Sequence, residues 1–69
     1  MKIYIAENIK TLRKNHGWSL EKLAEEIDAG KSTVRDYEAG KNYPGLISII
    51  NLCHVFEVSF NQLVFQKLK

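Results

Sequence analysis

The sequence predicts an all-α fold, a compact five-helix bundle, on three observations. Apolar residues recur at steps of three and four in five separate stretches, the spacing of one face of a helix. Most of these stretches begin or end at residues that cap helices. A content of 45% apolar residues with a single proline favours a folded helical chain over a disordered one. Sixty-nine residues make one domain, 1–69, with a thin core, because so short a chain buries only about 60% of the surface its unfolded form exposes.

The opening MKIYI is either a short strand or the lead-in to the first helix. Ile5, Ile9 and Leu12 then repeat at helical spacing to about Asn15, with Gly17 as the stop. A second helix starts at about Leu20. Ser19 is its N-cap acceptor, Glu21 places negative charge in its first turn, and Trp18 and Leu23 are set for a hydrophobic staple. Leu20, Leu23, Ala24 and Ile27 form its apolar face. Asp28, Ala29 and Gly30 follow, of which Asp and Gly tolerate the backbone shapes of a sharp turn. A third helix runs from about Lys31 to Ala39 and closes at Gly40 with a left-handed cap. Pro44 ends the loop after it, and a fourth helix spans Leu46 to Phe56. That helix is apolar over more than one face, with Leu46, Ile49, Ile50, Cys53 and Phe56 in one stripe, and is expected to be the central core helix. Ser59 and Gln62 match a capping box, which opens a last helix from about Phe60 to Lys67.

The second and third helices, joined by so short a turn, form a helix-turn-helix over about residues 19–40, the unit whose second helix enters the DNA major groove. At 100° per residue Val34, Tyr37 and Glu38 point one way, and Ser32, Arg35, Asp36 and Ala39 point the other. With only two large apolar residues facing inward, this helix exposes a face of hydrogen-bonding groups. Lys31 and Arg35 can donate to guanine O6 and N7, Asp36 can accept from cytosine N4, and Ser32 and Thr33 can serve a base or a phosphate. The competing reading is a plain solvated surface, and a net charge of +2 is only a weak pointer to a polyanion partner.

From Ile5 to Phe65 the chain resembles the phage-repressor type of helix-turn-helix domain, the Cro/Xre-like (lambda-repressor-like) group. The words IAENIKTLRKNHGWS, LEKLAEEI, KSTVRDYEAGKNYP and VFEVSFNQLVF stand in family order and at family spacing. The resemblance implies a sequence-specific protein of double-stranded DNA, a transcriptional regulator that binds a palindromic operator as a dimer. Position by position, it places Lys31, Ser32 and Asp36 at base edges, with Thr33 and Arg35 flanking them. It implies a largely buried ion pair between Arg13 and Glu38 that aims the third helix. It also puts the loop of Lys41, Asn42 and Tyr43 against a phosphate, to which Lys41 brings charge and the other two bring hydrogen bonds. Members carry Gln at the start of the first motif helix to hold a phosphate, where this chain has Leu20. Ser19 and the backbone N–H groups beside Leu20 are the expected substitutes. Lys10 and Lys14, on the outer side of the first helix, are candidate phosphate contacts whose alternative is solvation.

The last helix carries Phe60, Val64, Phe65 and Leu68, apolar surface that either finishes the core or forms a homodimer patch. No constellation for catalysis is present. Cys53 and His54 are adjacent on a helix and diverge by about 100°, so they do not share a metal. No Gly-rich phosphate loop or nucleophile elbow occurs, so neither an enzyme nor a cofactor is expected. A lone cysteine and the lack of a long apolar run or signal-peptide pattern point to the cytoplasm, with no membrane partner. A rival function is a protein-binding module, an antitoxin or adaptor on the same fold. The expected mechanism is repression by occlusion of a promoter.

Overall fold

Two serines open helices in the same way. The Ser19 hydroxyl accepts from the Lys22 N–H at 3.0 Å, and the Ser59 hydroxyl accepts from the Gln62 N–H at 3.0 Å. At the second site the Gln62 side chain returns a bond to the Ser59 N–H, completing the capping box. In a computed structural model, which describes residues 1–69, the helices are α1 (Ile5–Asn15), α2 (Leu20–Glu26), α3 (Lys31–Ala39), α4 (Leu46–Phe56) and α5 (Phe60–Phe65), with no strand.

The turns follow the residues that make them. Gly17 and Gly40 adopt φ of 70° and 74°, the left-handed shape that lets the chain leave α1 and α3. Asp28 takes φ 56° between α2 and α3, and Glu57 takes φ 55° at the end of α4 without any signal in its side chain. Gly30 caps α3 in extended conformation with no side-chain bond of its own.

Ile5, Ile9, Leu23, Ala24, Ile27, Val34, Tyr37, Leu52, Phe56, Leu63 and Val64 make one core, drawn from all five helices and the α2–α3 turn. Helix α3 packs against α1 and α2, and α5 closes the bundle against α1 and α4. His16, Trp18 and Phe56 cluster at one end with centroids 4.8–5.8 Å apart, His16 edge to face with Phe56 and both tilted against Trp18.

Three expectations need correction. Helix α4 is not the central core helix. Leu52 and Phe56 are buried, but Leu46, Ile47 and Ile50 are 70%, 70% and 53% exposed. Its apolar residues run round most of the helix, and its neighbours bury Leu52 and Phe56 and only partly cover Ile49, Cys53 and Val55. Helix α5 ends at Phe65 instead of Lys67 because the buried Asn8 of α1 captures the chain there. The Asn8 Nδ2 donates to the carbonyls of Leu63 at 2.7 Å and Gln66 at 2.6 Å, and its Oδ1 accepts from the Leu68 N–H at 2.9 Å. The proposed dimer patch shrinks accordingly. Val64 is 6% exposed and belongs to the core, and Leu68 is half-buried, whereas Phe60 and Phe65 stay open at 51% and 38%.

Candidate nucleic-acid interface

Helix α3 is rotated as its sequence demands. Val34 and Tyr37 are buried, which turns Ser32, Arg35 and Ala39 to solvent and leaves Asp36 half-exposed. Lys31 and Thr33 are exposed at the margins. The five candidate base contacts thus lie on one helix, with Ser32, Arg35 and Asp36 on its outward side.

What holds that face in place is a fork between helices. Arg13 on α1 donates from Nε to Glu38 Oε2 at 2.6 Å and from Nη2 to Oε1 at 3.0 Å. Its remaining Nη1 donates to the Trp18 carbonyl at 2.8 Å. The two side chains are 13% and 8% exposed. The guanidinium therefore ties α1, the α1–α2 loop and α3 at one point, and two parallel bonds resist rotation of α3 better than one. Its hydrogen bonds to Glu38 hold the Arg13 guanidinium above its ordinary pKa, against the opposing effect of burial. On the far side of α3 the Tyr37 hydroxyl donates to the Ser48 hydroxyl at 3.4 Å, a longer tie to α4.

The loop after α3 is placed by the end of the helix. The Asp36 carbonyl accepts from the Lys41 N–H at 3.0 Å, and Lys41, Asn42 and Tyr43 all face solvent next to the Gly40 cap. Ser19 is exposed, yet its hydroxyl is spent on the α2 cap. Leu20 is half-buried and lines an open cleft of about 300 Å³ together with Lys10, Arg13, Arg35, Glu38 and Ala39. Lys14 is exposed and stands outside that cleft, so the structure separates the two lysines that the sequence treated alike.

One contact escaped the sequence reading. Lys31 Nζ lies 3.0 Å from Glu21 Oε2, across the α2–α3 turn. That bond, first of several causes, lowers the Glu21 pKa. Both groups are well exposed, so the pair is weak and leaves Lys31 able to turn to another acceptor. No sequence signal announces it, since the residues open two different helices.

The larger open groove, about 780 Å³, runs between Trp18 and Val58 and includes no residue of α3. Its carboxylates, Glu26 and Glu57, suit a polyanion poorly. The thiol of Cys53 in that groove is pushed up by burial, and no three His, Cys, Asp or Glu side chains are grouped to hold a metal. No helix is long and apolar enough to cross a membrane.

Comparison with known proteins agrees with this geometry. The family profile described as helix-turn-helix matches residues 9–63. The chain is 33% identical over 58 residues to YobD, an HTH-type transcriptional regulator of Bacillus subtilis (strain 168), covering 84% of this chain and 52% of YobD. It therefore spans about half the length of that relative. A transcriptional regulator from Listeria innocua superposes with a TM-score of 0.90 at 29% identity, over all of this chain and 64% of that one. The N-terminal DNA-binding domain of SinR from Bacillus subtilis gives a TM-score of 0.79 at 31% identity, covering 87% of this chain and 88% of that one.

Proposed function

We propose a function from one premise: the chain belongs to the Cro/Xre-like helix-turn-helix family of transcriptional regulators, which are DNA-binding proteins and not enzymes. On that premise the protein is a sequence-specific regulator of double-stranded DNA that lays α3 across the major groove. The observation that carries this is the outward face of α3, wholly free of large apolar groups and held in one orientation by the Arg13–Glu38 fork. Lys31, Ser32 and Asp36 read base edges, with Thr33 beside them. Lys41, Asn42 and Tyr43 grip the backbone. Repression follows from occlusion, because a domain seated on a promoter blocks it without further machinery.

Selection of bound duplexes from a random pool tests this reading. Asp36→Ala is expected to change the preferred base at one position of each half-site. Lys41→Ala is expected to weaken all duplexes alike and to lower the log–log salt slope by about 1 for each bound subunit. The same recovered motif for Asp36→Ala and the parent would remove Asp36 from base reading.

The working unit is a homodimer on a palindrome. Its support is the apolar surface that the bundle leaves open, Leu46, Ile47 and Ile50 on α4 with Phe60 and Phe65 on α5. Extents of 29 × 22 × 19 Å let two adjacent copies reach successive major grooves, about 34 Å or 10 bp apart. Ile47→Glu is expected to leave the far-UV circular dichroism unchanged, since the side chain is 70% exposed, and to halve the sedimenting mass at micromolar concentration. A parent that sediments as a monomer with and without DNA ends the dimer reading.

A further inference from the structure

We propose that the cleft between α1, α2 and α3 holds a single DNA phosphate, clamped from two sides by Lys10 and Arg35 above the Leu20 side chain. The proposal rests on the DNA-binding reading and reassigns Arg35 within it, from reading bases to positioning the helix.

The charge balance comes first. Of the residues lining the cleft, Arg13 and Glu38 neutralise each other, and the fork already engages all three guanidinium nitrogens and both carboxylate oxygens. Lys10 and Arg35 are paired with no carboxylate. The cleft therefore presents two uncompensated positive charges, one from α1 and one from α3, to a space of about 300 Å³.

Position on the helix agrees. At 100° per residue Ser32 and Ala39 lie nearly opposite the buried midpoint of Val34 and Tyr37, so they mark the centre of the outward face. Arg35 is rotated about 50° from that centre toward Glu38, and Asp36 is rotated about 50° the other way. Arg35 thus leans over the cleft, and its planar guanidinium fork matches phosphate geometry. The floor is Leu20, which offers no polar atom, and the rim at Ala39 is a single methyl that leaves room for approach. Any grip on an anion here must come from the flanks, where Lys10 and Arg35 stand.

Two readouts test the clamp, both on the full chain with a duplex recovered by selection. Lys10→Gln and Arg35→Gln are each expected to weaken all duplexes several-fold at 0.1 M salt without altering the selected motif. Because both residues serve one phosphate in each subunit, the double variant is expected to lower the log–log salt slope of the dimer by about 1.8, about 0.9 for each half-site, and not by about 3.6. Neutral methylphosphonate substitution, scanned along the duplex, is expected to find one position per half-site where both variants cease to differ from the parent. An altered motif for Arg35→Gln, a slope change near about 3.6 or near zero, or two separate positions of insensitivity in each half-site would each overturn the clamp. Both side chains are exposed and outside the core, so the variants fold. A parent that binds no duplex at low salt would instead defeat the DNA-binding reading on which the clamp depends.

Discussion

Glu38→Ala is expected to cost the fold about 3–5 kcal/mol, the usual loss when one partner of a buried pair is removed and the other charge is stranded. The geometry supports the upper part of what such pairs deliver. Both side chains are nearly covered, at 13% and 8% exposure, and the contact is a two-bond fork. A domain of this size has roughly 3–10 kcal/mol of stability in all, so the variant should be marginal at room temperature. Arg13→Met should lose a similar amount, and it also leaves the Trp18 carbonyl without its 2.8 Å partner. The double variant Arg13→Met, Glu38→Leu should recover much of the loss, because it strands no charge. Its DNA affinity should nevertheless stay low, since packing alone does not fix the rotation of α3. Urea titration of the parent, the Arg13→Met and Glu38→Leu single variants and this double variant closes the thermodynamic cycle. If either single variant costs less than about 1 kcal/mol, the fork is only a surface pair.

Asn8→Ala should be the next most damaging substitution, at about 3 kcal/mol. Asn8 is fully buried and uses both ends of its amide, donating to the Leu63 and Gln66 carbonyls and accepting from the Leu68 N–H. These partners fix the orientation of the amide, because carbonyls meet its NH2 and an N–H meets its oxygen. Truncation leaves the backbone groups unpaired, at about 1–3 kcal/mol for each that water cannot reach. Hydrogen exchange gives a direct readout, since the Leu68 N–H should lose its protection while amides in α2 keep theirs. Asn8→Asp adds a dependence on pH whose sign follows from the same contacts. A carboxylate faces two carbonyl oxygens with nothing to donate, so the folded state favours the protonated acid. The variant should be at its most stable below about pH 4, where the acid is protonated in both states, and should lose stability as pH rises from there through the raised folded pKa. Unchanged protection at Leu68 would mean that the tail is held by other contacts.

Helix starts were legible in the sequence because capping acts over three residues. Ser19 bonds the Lys22 N–H and Ser59 the Gln62 N–H, so both signals lie within a short word. The left-handed exits at Gly17, Asp28 and Gly40 were legible for the same reason, whereas Glu57 at φ 55° was not, since its side chain carries no such preference. The reading face of α3 could be drawn in advance once its limits were known, because Val34 and Tyr37 leave the helix only one way to pack.

Other features depend on what lies far away along the chain. The end of α5 is set by Asn8, 58 residues before its partner Gln66, and no window around Phe65 contains that bond. Periodicity marks Leu46, Ile47 and Ile50 as apolar, but coverage depends on which neighbour arrives, and the bundle covers only Leu52 and Phe56 fully.

Residue order was therefore enough to place five helices, the tight turn between α2 and α3 and the polar side of the third, because each follows from contacts within about one helical turn. Packing settled which apolar groups stay open, how Arg13 locks Glu38, and that Lys10 and Arg35 border one cleft. Those outcomes depend on the distance between helices, a quantity that no short stretch of chain encodes.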